Sequence, residues 1–309
     1  MKKLSRDSFN QAIETIEEKI RPLERKIFFN YFEGRYDKEL LDELSKFQND
    51  DGGFGKGIEK DFKLELSSPM ATSFAFQTLI QLDHLEEAEE IIKAGIKYFE
   101  DTYCLERKGW FAVPKEVNDY PHAPWWHFNE DEGMTVIDYS WGNPSAEIIG
   151  YLYKYQEYLT ELDPEELVRY AINYWNDKTV FQSEHETYCV IRLYNILPER
   201  YRVELEDQIE EAVKQLLNKD PKEWRIDYVP KPLDFVSEPA NNKFGISQKM
   251  IDENLEMYVD LLEEENQIEP TWEWGQYEET WKKARKHWLG WLTVRALITL
   301  DKFDRIEDE

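Results

Sequence analysis

Residues 48–55 read QNDDGGFG. Two consecutive glycines, Gly52 and Gly53, are expected to permit a tight chain reversal at positive φ. Phe54 should then pack the loop against neighbouring helices, and the Gln48 amide should bond to loop backbone groups. The stretch therefore predicts a compact turn between two helices.

Two kinds of helix alternate on either side of such turns. Apolar residues recur at helical spacing over most of the chain, and the alternation typical of strands is nearly absent. Highly charged amphipathic helices are predicted over 38–48, 85–100, 163–176, 200–218 and 247–264. Helices with small or apolar residues on more of their surface are predicted over 68–79, 144–158, 184–197 and 284–300. Because a helix that is apolar on most sides is a buried helix, the first kind should be outer and the second inner.

The outer-to-inner connections share an aromatic residue, which indicates a repeat. The aromatic residues in question are Phe54, Trp110, Phe181, Trp224 and Trp274. Their irregular spacing fits a helical-hairpin repeat with inserted loops, in five imperfect copies between residues 38 and 300. Residues 6–33 form an extra leading pair that breaks near Pro22. We find no linker-like tract, so a single domain is predicted over 1–309.

Residues 48–55 resemble the glutamine-aromatic, Asp-Gly-Gly-Phe repeat of the terpenoid cyclase and protein prenyltransferase superfamily. The stretch SEHETYCV, residues 183–190, is similar to an inner-helix start of prenyltransferase β subunits, with Tyr188 and Cys189 in register. The resemblance implies an all-α fold, an α/α toroid of about five to six outer and inner helical hairpins. It does not by itself imply a reaction.

The catalytic motifs of these relatives are absent. No Asp-x-Asp-Asp run occurs, and the residues two before Cys104 and Cys189 are threonines where zinc-dependent prenyltransferases have aspartate. Phosphate-binding glycine loops, His-Glu-x-x-His, Cys-x-x-Cys and Gly-x-Ser-x-Gly are missing as well. We therefore predict no metal and no cofactor.

Charge excludes some classes of partner. The chain has 65 Asp and Glu against 38 Lys and Arg, a net charge of −27, while 41% of its residues are apolar and 15% aromatic. Such a chain folds around a core but repels nucleic acid and anionic lipid. No apolar run reaches the roughly 18 to 20 residues of a bilayer span, and no signal peptide precedes the first charges, so we predict a cytoplasmic protein without a membrane span.

The predicted site lies where the outer-to-inner loops gather at one end of the toroid. Long loops in a compact domain are usually functional, and these carry many rings and acids. The proposed ligand-binding residues are Trp125, Trp126, Trp141, Asn143, Glu59, Asp61, Asp234 and Trp272. The proposed catalytic residues are Glu184, Glu186, His185 and His122. His185 stands between two carboxylates that can tune it. The alternative for the rings is anchoring of the loops, and for the acids it is solvation or helix capping.

Two ligand classes remain open from the sequence. An elongated apolar or amphiphilic, isoprenoid-like ligand suits a cavity floor of residues such as Phe74, Tyr151 and Leu193. A carbohydrate-active enzyme, a glycoside hydrolase or lyase, would instead place two carboxylates about 5 to 9.5 Å apart and stack tryptophans on sugar rings. A non-catalytic interaction scaffold is a third possibility.

Overall fold

The computed structural model of the chain describes residues 2–34 and 36–308. Within them it contains thirteen α-helices and no β-strand. The helices are α1 Arg6–Lys19, α2 Pro22–Glu33, α3 Asp37–Ser45, α4 Pro69–Leu79, α5 Ala88–Asp101, α6 Gly142–Lys154, α7 Pro164–Asn176, α8 Glu184–Ile196, α9 Glu199–Leu216, α10 Glu223–Ile226, α11 Pro232–Phe235, α12 Gln248–Glu265 and α13 Glu278–Lys302. Short 3-10 helices cover Lys115–Asp119, Pro124–Trp126, Val136–Tyr139 and Gln156–Tyr158. The all-helical prediction is confirmed.

Helices α6 and α9 differ in burial as the sequence predicts, whereas the predicted outer helix α5 and the predicted inner helix α8 bury similar shares of their residues. Every residue from 142 to 152 in α6 is buried. The charged helix α9 buries a single face, at Tyr201, Leu205, Ile209, Ala212 and Val213. The sequence analysis missed α10 and α11, because each is a single turn inside a loop and leaves no periodic signal.

Capping side chains fix where several helices begin. The Ser68 hydroxyl accepts a hydrogen bond from the Ala71 N–H at the start of α4, and Pro69 occupies the first helical position. Asp163 caps α7 in the same way, and Ser183 caps α8 by accepting from the Glu186 N–H. Each cap satisfies a backbone donor that has no partner within the helix.

The described residues form two compact units, which we call unit A and unit B. Unit A is residues 44–216, and unit B comprises the described residues up to 43 together with 217–308. In unit A, α6 packs against α4, α7 and α8. In unit B, α13 packs against α1, α2 and α12, and Leu4 pairs with Ile306 in a parallel bridge. The single toroid domain over 1–309 stays a prediction.

The loop at residues 48–55 is held by the contacts that its sequence predicts. Gly52 has a φ of +85°, and a Cβ there would lie 2.3 Å from the Ala94 carbonyl oxygen of α5. The Gln48 Nε2 donates to the Gly52 carbonyl at 2.9 Å and to the Ile91 carbonyl at 3.1 Å. The turn therefore needs glycine for two reasons, its backbone conformation and its approach to α5.

Gly53 departs from its predicted role. It does not have a positive φ. Instead, a Cβ at this position would lie 2.7 Å from the Tyr98 ring and 2.6 Å from the Ser67 Cβ. Gly53 is required for close packing rather than for a left-handed backbone, a distinction that the sequence alone does not make.

The five repeat aromatics are all buried, as Phe54, Trp110, Phe181, Trp224 and Trp274 retain 0, 0, 6, 2 and 2% exposure. In two of them the backbone N–H also forms the same kind of hydrogen bond, to a hydroxyl of the following helix. The Phe54 N–H donates to the Thr72 Oγ1 at 2.9 Å, and the Trp110 N–H donates to the Ser145 Oγ at 2.9 Å. Thr72 and Ser145 are each the fourth residue of the following helix, α4 and α6. The structure thus repeats one way of joining loop to helix.

No helix in the described part of the chain combines the length and hydrophobicity required to cross a bilayer.

Candidate functional site

A buried segment of three charged residues, Glu59, Lys60 and Asp61, precedes α4 in unit A; we call it the carboxyl-pair site. The segment is fixed by backbone bonds to the loop around residue 122. The Ala123 N–H donates to the Asp61 carbonyl at 2.7 Å, and the Lys63 N–H donates to the Pro121 carbonyl at 2.8 Å. These antiparallel contacts hold the three side chains in place without a regular sheet.

The two carboxyl groups of the site are nearly inaccessible to solvent. Glu59 keeps 6% exposure and Asp61 keeps 5%, and the Glu59 Oε2 accepts from the Asp61 N–H at 2.6 Å. Burial, reinforced by the negative charge of Asp61, raises the pKa of Glu59 to about 8, although Lys60 and the Asp61 N–H oppose the shift. Glu59 is therefore a proton-carrying acid at neutral pH.

Lys60 places a positive charge between the two acids. Its side chain is fully buried, and its Nζ lies 4.1 Å from the centroid of the Phe74 ring on α4. The ring face offers the ammonium a cation–π contact inside the protein. Lys60 opposes and Asp61 reinforces the upward shift in the pKa of Glu59, so the two neighbours act on the Glu59 proton in opposite directions.

Aromatic side chains accompany the segment. Phe62 pairs with His122 in an antiparallel bridge and packs edge-on against the Trp126 ring, with centroids 5.1 Å apart. Trp126 is 6% exposed and its Nε1 has no hydrogen-bond partner among the described residues, while Trp125 is half-buried. The structure thus brings Trp126 and His122 to the neighbourhood of Asp61, through Phe62.

His122 is held by two contacts. Its Nδ1 donates to the Tyr120 carbonyl at 2.6 Å, because a carbonyl oxygen only accepts. Its Nε2 lies 3.2 Å from the Nδ1 of His127, and the two rings stack with centroids 5.4 Å apart. His122 is 2% exposed, whereas His127 is exposed. A catalytic role for His122 stays a prediction.

Glu186 forms a brace between helices. Its Oε1 accepts from the Gly142 N–H at 2.9 Å and from the Tyr174 hydroxyl at 2.8 Å, and its Oε2 lies 2.8 Å from the Lys178 Nζ. These bonds join the starts of α6 and α8 to the end of α7. These contacts satisfy the hydrogen-bonding groups of the buried Glu186 carboxylate, so they account for its burial. The catalytic role of Glu186 stays a prediction.

The neighbours of Glu186 in the sequence are more open. The side chains of Glu184 and His185 are 23% and 45% exposed, with the His185 Nε2 3.9 Å from the Glu184 Oε1. The His185 ring meets the Tyr188 ring edge-on at 5.7 Å. The predicted catalytic trio therefore separates into a buried brace and two accessible side chains.

Trp141 and Asn143 lie at the start of α6. The Trp141 Nε1 donates to the Lys108 carbonyl at 3.2 Å, and its ring packs 4.5 Å from the Tyr174 ring. This is the anchoring geometry that was the alternative for the loop rings. The Asn143 Oδ1 accepts from the Cys189 thiol at 3.6 Å. Asn143 thus borders the cluster described next.

A polar cluster between α6 and α8 joins Glu147, Tyr151, Cys189 and Arg192, an arrangement that the sequence did not predict. The Glu147 carboxylate accepts from the Tyr151 hydroxyl at 2.6 Å and from the Arg192 Nη1 at 3.1 Å, and the Cys189 thiol donates to it at 3.5 Å. Burial and the charge of Glu147 raise the pKa of the Cys189 thiol well above its usual value. The available signal was the single charged residue Glu147 in the segment 144–152 of α6, which is otherwise made of apolar and small residues and one tyrosine.

The remaining predicted residues, Asp234 and Trp272, belong to unit B. The Asp234 carboxylate accepts from the Lys231 N–H at 2.9 Å and lies 3.7 Å from the Arg295 Nη2. Trp272 lies in a chain of edge-to-face rings, 5.1 Å from Tyr228 and 5.0 Å from Trp288. Unit B thus carries its own group of aromatic rings. It includes Trp291, whose ring centroid lies 5.6 Å from that of Trp288.

Unit A also contains a cleft of about 540 Å³ lined by charged and aromatic side chains, among them Asp83, Lys154, Tyr155 and Tyr158. It opens beyond the C-terminal ends of α4 and α6, whereas the carboxyl-pair site precedes the N-terminal end of α4. Among the described residues, no three His, Cys, Asp or Glu side chains are grouped so as to hold a metal ion.

Comparison with protein families, curated proteins and solved structures gives no match for this chain.

Proposed function

We propose that the chain is an α/α toroid protein, similar to the terpenoid cyclase and prenyltransferase superfamily, that binds an elongated amphiphilic, isoprenoid-like ligand and donates a proton to it from Glu59. The alternation of charged and buried helices supports the toroid, as does the loop-to-helix bond repeated at Phe54 and Trp110. The observation that carries the activity is the buried carboxyl group of Glu59, whose pKa is raised to about 8 by burial and by the charge of Asp61.

A buried neutral acid is suited to general acid catalysis. An acid whose pKa lies near the working pH is protonated often enough to donate and remains acidic enough to do so. Phe62, Phe74 and Trp126 place apolar ring surface next to the carboxyl-pair site, and contact with apolar surface is more favourable for a polyene than contact with water. Aromatic faces also stabilise a developing positive charge, which arises when a carbon–carbon double bond takes up a proton.

The proposed step balances without a cofactor. The Glu59 carboxyl proton forms a new C–H bond with one alkene carbon, the π bond breaks, and the adjacent carbon becomes cationic. Water takes up a proton from a carbon next to the cation, which forms a new double bond, and solvent returns a proton to the Glu59 carboxylate. The product is a double-bond isomer of the polyene.

Incubation with farnesol, geranylgeraniol or squalene in D₂O tests this activity. We expect deuterium to enter the polyene, as measured by mass spectrometry, with a rate that falls about 10²- to 10⁴-fold in Glu59→Gln. Glu65→Gln is the matched control, since Glu65 is an exposed acid of the same loop. Equal incorporation by Glu59→Gln and the parent would exclude Glu59 as the donor.

A second candidate function, carbohydrate processing, is favoured by the ring chain of unit B. The centroid of the Trp272 ring lies 5.1 Å from that of Tyr228 and 5.0 Å from that of Trp288. Aromatic faces such as these stack on sugar rings. Quenching of tryptophan fluorescence by cellotriose or maltotriose, lost in Trp272→Ala, would support this function. Release of reducing sugar from an oligosaccharide, with no deuterium exchange into polyenes, would replace the first proposal by this one.

A further inference from the structure

The open face of α8 carries a row of polar side chains. His185, Tyr188 and Arg192 are separated by three and four residues, so they follow one another on one face of the helix. His185 is exposed and Tyr188 is half-buried. The Arg192 side chain keeps 36% exposure, although its partner Glu147 keeps only 3%. The guanidinium therefore stands at the boundary between the buried cluster and accessible space.

The hydrogen bonds of Arg192 use one part of its guanidinium. The Nη1 donates to the Glu147 Oε2 at 3.1 Å and lies 3.9 Å from the Cys189 Sγ. Glu147 is itself fixed by the Tyr151 hydroxyl at 2.6 Å. Among the described residues, the Nη2 and Nε atoms have no acceptor. These two nitrogens form one edge of the guanidinium, the edge that binds carboxylate or phosphate by two parallel hydrogen bonds.

Other arginines of unit A are paired differently. The Arg169 Nη1 contacts both Glu204 oxygens, at 2.8 and 2.9 Å, and the Arg200 Nη2 lies 2.9 Å from the Glu165 Oε1. Both pairs are at the surface, with side-chain exposures between 39% and 61%. Arg192 differs from Arg169 and Arg200 because a buried carboxylate, that of Glu147, orients it, an arrangement that fixes a guanidinium for binding a second group.

We propose that Arg192 binds an oxyanion, a phosphate or carboxylate group, through its Nη2 and Nε atoms. Tyr188, one turn earlier on α8, borders the same site. In a chain with a net charge of −27, such a site provides local attraction for an anion that the rest of the surface repels. The oxyanion is the polar end of the amphiphilic ligand, so this part of the inference rests on the proposed function.

Thermal unfolding with simple anions tests the site without the complete ligand. Sodium pyrophosphate, phosphate and acetate are compared with chloride at one ionic strength, and binding to the folded state raises the Tm as the anion concentration exceeds its Kd. We expect at least one oxyanion to raise the Tm of the parent and of Glu59→Gln equally. The relative shifts of phosphate and acetate distinguish the two headgroup classes.

The matched variants are Arg192→Lys and Arg169→Lys. Lysine at 192 keeps a positive charge opposite Glu147 but lacks the two-nitrogen edge, so we expect apparent anion affinity to fall at least tenfold. Arg169→Lys should bind as the parent does. No oxyanion-specific Tm shift in the parent, or an equal shift in Arg192→Lys, would overturn the proposal.

Chemical modification of the parent protein gives a readout that does not depend on how a variant folds. Phenylglyoxal modification, located by mass spectrometry, should slow at Arg192 at least fivefold in the presence of pyrophosphate and remain unchanged at Arg169. Equal rates at Arg192 with and without pyrophosphate would contradict anion binding there. Because neither experiment uses a polyene, loss of the anion site and loss of the Glu59 activity are separate results.

Discussion

Replacement of Glu59 by glutamine should make the stability of the protein less sensitive to alkaline pH. A carboxyl whose pKa is raised on folding contributes stability that is complete below its unfolded pKa and lost as pH rises through its folded pKa. For Glu59 the window runs from 4.5, the ordinary value, to about 8. Glutamine is neutral throughout this window, and its carbonyl oxygen still accepts from the Asp61 N–H.

The size of the effect follows from the shift. One pKa unit corresponds to about 1.36 kcal/mol, so the full shift makes the free energy of unfolding about 5 kcal/mol smaller at high pH than below pH 4. Between pH 6 and pH 9 the parent should lose about 3 kcal/mol through Glu59. The free energy of unfolding of Glu59→Gln, taken relative to that of the parent, should therefore increase by about 3 kcal/mol across this interval.

Urea unfolding followed by circular dichroism at pH 6 and pH 9 measures the difference. Glu65→Gln is the control, because Glu65 is exposed and lies in the same loop. Its free energy of unfolding relative to the parent should be the same at both pH values. If Glu59→Gln also differs from the parent by a constant amount, Glu59 is ionised at neutral pH and the reasoning about the carboxyl-pair site is wrong.

Two pairs of substitutions and one chemical reaction test other contacts. Glu186→Gln should reduce the free energy of unfolding by about 2 to 3 kcal/mol, because Lys178 loses its buried partner. Substitution of the more exposed Glu184 by glutamine should change it by less than about 0.5 kcal/mol in the same urea titration. Gly52→Ala should cost about 2 to 3 kcal/mol more than Gly133→Ala, since both have positive φ but only Gly52 would clash with a neighbouring backbone; similar thermal shifts for the two variants would refute this. The half-buried Cys104 should react with Ellman's reagent well before the buried, neutral Cys189, whose reaction should wait for unfolding; simultaneous reaction in the native protein would show that Cys189 is accessible.

The helices were predictable from sequence because their signals are local. Apolar spacing located α4 and α8 to within a residue or two, and Ser68 and Ser183 mark their starts by capping. The short helices α10 and α11 were missed, since a single turn has no periodicity. The role of Gly53 was misassigned because a Cβ at this position would clash with the ring of Tyr98, which lies 45 residues away in the chain.

The candidate site was predictable only in part. Glu59 and Asp61 could be chosen from the sequence as acids in a long loop, but the raised pKa of Glu59 depends on its burial, which the local pattern of charged residues conceals. Glu186 looked catalytic because it is next to His185, yet helix geometry turns the two side chains to different environments. Arg192 was missed because its pairing with Glu147 joins two helices far apart in sequence.

Infrared spectroscopy detects directly whether the Glu59 carboxyl group is protonated. A protonated carboxyl has a C=O stretch distinct from the carboxylate bands, and at pH 7 most other acids of the protein are ionised. We predict such a band at pH 7 in the parent, with loss of intensity near pH 8, and its absence from Glu59→Gln. A parent spectrum without a protonated carboxyl band at pH 7, or the same band in Glu59→Gln, would contradict the assignment of Glu59 as the proton-carrying acid.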